Sequence, residues 1–147
     1  MAEKEIRTFI EKYVVATDGI FKGYTEETFA KWVKTYCSPN LLWIRPSGNP
    51  MGLDMFKGMW SSGKLSDASS TLVSIDSVQL TGCWGCLPKA LPALPGSSAF
   101  VTFKTHDKFK YESTPNDDIV MFTGVLEKGI GGWKLLHLHR ATGQKPE

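Results

Sequence analysis

The sequence predicts an α+β domain in which amino-terminal helices cover one face of a mostly antiparallel sheet. Apolar residues recur at helical spacing through roughly the first 60 positions. The period then changes to two and stays there to the end. Short, turn-rich links join the later runs, as in a meander. Helices first and strands afterwards distinguish this order from the alternation of α/β proteins.

Ile6, Ile10, Tyr13 and Val14 mark the first helix, and Gly19 is its expected end. Thr25 reads as the N-cap of a second helix, with Glu26 and Glu27 where the helix dipole favours acids. Phe29, Trp32, Val33 and Tyr36 form its apolar stripe, and Ser38-Pro39-Asn40 is expected to stop it. A short strand follows over 41–45, then a turn cluster over 46–50. Residues 51–60 read as a third helix burying Met55, Phe56, Met59 and Trp60, ended by Ser61-Ser62-Gly63.

Strands are expected over 71–80, 99–111, 119–127 and 133–140. In the second of these, Lys104, Lys108 and Lys110 share one face and Val101, Phe103, Phe109 and Tyr111 the other. Asp117 and Asp118 follow Pro115-Asn116 and read as turn residues. The Leu-Pro repeats between Trp84 and Gly96 exclude a central strand, because proline donates no ladder hydrogen bond. The last two strands are apolar on both faces. A sheet of that kind must be covered twice, and the helices cover it once, so a homodimer is expected.

The 147 residues suit one domain spanning 1–147. A net charge of +2 with interspersed signs leaves no basic footprint for nucleic acid. No apolar run reaches the roughly 18–20 residues of a membrane span. The charged amino terminus lacks a signal-peptide core. Three cysteines and no glycosylation acceptor suit a reducing, cytoplasmic setting. Cys83-Trp84-Gly85-Cys86 has neither a following helix nor a second pair, so it reads as plain loop cysteines. No metal and no cofactor are expected. The histidines lack a third ligand, and no phosphate loop, nucleophile elbow or dinucleotide fingerprint occurs.

The closing run Gly131-Gly132-Trp133-Lys134-Leu135-Leu136-His137-Leu138-His139-Arg140-Ala141 resembles the last strand of the nuclear transport factor two-like superfamily. It is closest to the SnoaL-like members and the association domain of calcium/calmodulin-dependent kinase. Ala141 stands where that pattern usually has Ser. The resemblance implies a cone, with a bent sheet around helices and a mostly apolar internal pocket. It also implies dimers through the convex sheet face. Because that fold hosts isomerases, cyclases, dehydratases, binders and oligomerisation domains, it does not select a chemistry.

Arg140 matches a pocket-lining position of the kinase association domain and is expected to meet a ligand's polar end. His137 and His139 share a strand face, with Arg140 on the other unless a bulge intervenes. His139 is the candidate acid or base. Asp107, the acid on an otherwise apolar face, is the candidate general base, since desolvation raises a carboxyl pKa. Trp43, Arg45, Met55, Met59, Trp60 and His137 complete the expected ligand-binding set. The function read from these residues is a small-molecule pocket protein for an apolar or amphipathic ligand with a polar end. Its catalytic form is a cofactor-independent isomerase, cyclase or dehydratase. The alternative is a non-catalytic oligomerisation or adaptor domain.

Overall fold

A computed structural model describes residues 2–81 and 93–142. The first helix, α1 (Ala2–Lys22), runs past Gly19 because Ile20 continues its buried stripe of Ile6, Ile10, Tyr13 and Val14. A single glycine weakens a helix by about 1 kcal/mol and does not end one whose next residue is buried. Thr25 caps α2 (Glu26–Tyr36) as expected. Its hydroxyl accepts from the Thr28 amide while the Thr28 hydroxyl accepts from the Thr25 amide.

The helix gives way at once to β1 (Cys37–Ile44), which therefore begins well before the expected Leu41. Ser38, Pro39 and Asn40 lie in this strand, where its register against β6 breaks between Cys37 and Leu42. That irregularity accommodates Pro39, which has no amide to donate. After the turn come β2 (Pro50–Met51) and α3 (Leu53–Ser61), stopped by Gly63 at φ 72°. Phe56 and Trp60, one helical turn apart, point inward and Met59 is half-buried. Met55 lies round the helix from them and is 51% exposed, so it does not join the core.

Four long strands follow: β3 (Leu65–Thr81), β4 (Ser98–Tyr111), β5 (Thr114–Gly129) and β6 (Gly132–Thr142). All outrun their expected limits. The chain reverses between β4 and β5 at Glu112-Ser113, both at positive φ, as a two-residue hairpin turn requires. Asp117 and Asp118 are therefore strand residues, not turn residues. His106 pairs with Asp117 at 2.5 Å, and Asp118 is buried as the Cα partner of Asp107.

The strands form one open sheet in the order β2-β1-β6-β5-β4-β3. β3 to β6 make the expected antiparallel meander, while β1 joins β6 in parallel. Register shifts interrupt β3 against β4 in three places, and β5 against β6 in one. Each extra residue bends its strand, which curves the sheet around the helices. The result is the α+β cone expected from the sequence. Glu5 of α1 ties the helix to the far end of the sheet by accepting from Lys128 Nζ and Trp133 Nε1. No described helix is long and apolar enough to cross a membrane. Cys83, Cys86 and most of the Leu-Pro segment lie outside the described residues.

Candidate functional site

The concave side of the sheet and the helices enclose a cavity of about 150 Å³. Strand parity decides who lines it. Along β4, Val101, Phe103, Thr105 and Asp107 are buried while the alternate residues face outward. The decisive local feature is in β6. Val125 pairs with His137, but Leu126 pairs with Leu135, so Leu136 is an extra residue opposite that step. Upstream, Trp133 and Leu135 are buried; beyond the bulge the buried residue is Leu138. The phase has slipped by one. Arg140, two residues further on, faces the cavity, and His137 and His139 turn to the outer side.

Of the nine expected site residues, six line the cavity: Trp43, Arg45, Met59, Trp60, Asp107 and Arg140. Three do not. Met55 is displaced by the rotation of α3. His137 and His139 are carried outward by the bulge, so neither imidazole reaches the cavity. His106 also lies on the outer side, next to Asp107 in sequence and of opposite parity. All three histidines of the chain are thus on the convex face.

Asp107 is the internal acid. One carboxylate oxygen accepts from the Ser70 hydroxyl at 2.6 Å, and the other stands 3.5 Å from Arg140 Nη2. Ser70 is held in turn by its amide, which donates to Asp18 of α1 at 2.9 Å. The Arg140 guanidinium also lies over the Phe109 ring, 5.9 Å from its centroid. Deeper in the cone, burial pushes the Tyr13 hydroxyl above the ordinary tyrosine range. It stays neutral there.

The lining is otherwise apolar and aromatic, with Phe56 packed against Trp43 and Phe103 stacked on Phe122. Four buried side-chain polar atoms among the described residues have no hydrogen-bond partner: Trp43 Nε1, Trp60 Nε1, Arg45 Nε and Thr105 Oγ1. All four belong to residues that line this one cavity. A buried donor left unpaired costs about 1–3 kcal/mol, so such a concentration at one place calls for an external partner. Thr105 was visible in the sequence, because it shares the parity of Phe103 and Asp107. Ser70 was not. It sits in a Ser-rich run ahead of the expected strand start, and nothing local marks it as Asp107's partner.

Residues 20–146 match the family model described as a protein of unknown function, DUF3804. The chain belongs to that family. No curated protein matches it. An NTF2-like protein of unknown function from Prochlorococcus sp. NATL2A superposes with a TM-score of 0.70 at 26% identity, covering 99% of this chain and 96% of that one. The CamKII hub homology domain of Chlamydomonas reinhardtii gives 0.63 at 19% identity, covering 98% of this chain and 100% of that chain. A scytalone dehydratase-like protein from Novosphingobium aromaticivorans gives 0.65 at 11%, covering 98% and 85%. These likenesses place the DUF3804 chain in the NTF2-like superfamily. At such identities the last two speak for the fold alone.

Proposed function

We propose that the protein is a small-molecule binding protein whose ligand has an apolar body and a hydrogen-bond-accepting end. The observation that carries this reading is the gathering, on one aromatic-walled cavity, of the four unpartnered buried side-chain polar atoms found among the described residues. The cavity is open space, not a side-chain plug. Binding is favoured over acid–base catalysis because no imidazole lines the cavity and its carboxylate already has Ser70 and Arg140 as partners. Native mass spectrometry of gently purified protein, followed by a thermal-shift screen of small organic acids, ketones and alcohols, is expected to yield a ligand. Met59→Trp, which fills the cavity, should abolish its binding. A ligand that binds this variant as well as the parent sits elsewhere, and the reading falls.

Self-association is a second reading, compatible with the first. On the convex face Leu42, His137, Val125 and Phe100 fall in one cross-strand row, and Leu42 and Phe100 are 44% and 46% exposed. Large apolar side chains in line across the middle of a sheet favour a second copy as their cover.

A further inference from the structure

We infer that the ligand is a small organic acid, bound as its carboxylate between Arg45 and Arg140, with a ring-sized apolar body. This deepens the binding reading above and rests on it.

The polarity comes from the donor inventory. Indole Nε1 and guanidinium Nε donate and never accept. Three of the four unpartnered atoms are of this kind, so the complementary group must be an acceptor. An ammonium, which has donors and no acceptor, cannot satisfy them. The charge comes from the two guanidinium groups. β1 runs parallel to β6 with Ile44 opposite His139. Extending that register by one residue sets Arg45 beside Arg140, and both line the cavity.

The charged lining residues are these two arginines and Asp107. Asp107 is the partner of Arg140, and Arg45 has no ion pair among the described residues. Asp118, beside Asp107 in the sheet, is not part of the lining. Arg45 is therefore the lining cation whose buried Nε has no hydrogen-bond partner and which has no ion pair among the described residues, and a monoanion would answer it. A planar carboxylate suits the guanidinium fork.

The body comes from the volume. A dry protein cavity of about 150 Å³ takes benzene, and this cavity is of that size. Its walls are rings, including Phe56, Phe103, Phe109 and Phe122.

The test is a titration of the full chain with four probes of matched size, followed by tryptophan fluorescence and calorimetry: benzoate, benzamide, benzylammonium and phenyl phosphate. Benzoate is expected to bind at least about tenfold more tightly than each of the others. Arg45→Met should weaken benzoate by roughly 30-fold, the equivalent of losing one partner of a buried charge pair, and should leave benzamide within about threefold. Benzamide equal to benzoate overturns the carboxylate while leaving the binding pocket intact. Phenyl phosphate binding more tightly overturns the monoanion in favour of a phosphate ligand. If no probe binds, and Met59→Trp changes no thermal shift in the wider screen, both the acid and the pocket reading fail.

Discussion

Asp107 and Arg140 come from strands separated by β5, yet their charged ends stand 3.5 Å apart inside the cone. Neither would be tolerated alone, because a buried charge needs a partner. The pair is the internal answer to the arginine that ends an apolar strand. The second arginine of the cavity lining, Arg45, has no ion pair among the described residues.

Arg140→Met is expected to destabilise the fold by about 3 kcal/mol. This is the low end of the roughly 3–5 kcal/mol range for orphaning a buried partner, because Ser70 still bonds the carboxylate. Asp107→Asn, which keeps a hydrogen-bonding group, should cost less. Urea melts of both variants decide the matter. A loss below about 1 kcal/mol for Arg140→Met would show that the pair contributes no more than a surface ion pair.

Gly124 marks where the sheet is tightest. It lies in the cross-strand row Trp43, Leu138, Gly124, Val101. A Cβ there would come within 3.2 Å of Val101 Cγ2 and 3.4 Å of Leu138 Cδ1. Both neighbours are buried and have little room to retreat. Gly124→Ala should therefore lose about 1–3 kcal/mol by overpacking, against the general gain of replacing glycine in a strand. A variant that melts higher than the parent would contradict this.

Acid should loosen the tie between α1 and the sheet. Burial opposes ionisation of Glu5, but the hydrogen bonds from Lys128 and Trp133 outweigh it and hold the carboxyl below its ordinary 4.5. A depressed folded-state pKa gives stability that is complete above about 4.5 and disappears as pH falls through the lower folded value. Glu5→Gln should flatten that part of the stability curve and leave the slope above pH 6 unchanged. Melting temperatures from about pH 2 to 7 would show no difference in shape if the tie were inert.

The convex face is expected to bury about 800 Å² per subunit in a homodimer, the standard interface size. Phe100→Glu places a charge in the middle of its apolar row and should convert the dimer to a folded monomer. Sedimentation at micromolar protein reads this out directly. A parent protein that sediments as a monomer removes the prediction.

Much of the fold was legible because it depends on local periodicity. Three helices, then period-two strands, then a meander follow from which residues repeat at three to four positions and which at two. The cap at Thr25 and the stop at Gly63 are equally local. Helix α1 outran its expected end because burial of Ile20 is a tertiary fact that overrides the propensity of one glycine. The residue types of the site were also legible. An acid and an arginine on apolar strands, and a tryptophan and an arginine beside a turn, stand out in any reading.

Which of them meet was not legible, because a strand's facing is decided by a count of one. The unpaired Leu136 reverses the parity of everything after it, sending Arg140 inward and His137 and His139 outward. Nothing in Leu135-Leu136 announces a bulge, since either leucine suits either face. The bulge forms because β6 must pair with β5 along its whole length while curving around the helices, and an extra residue supplies that bend. The sequence by itself determined helices followed by an antiparallel meander, and the chemistry available to them. The curvature of the finished sheet alone decided that arginine, and not histidine, faces the cavity.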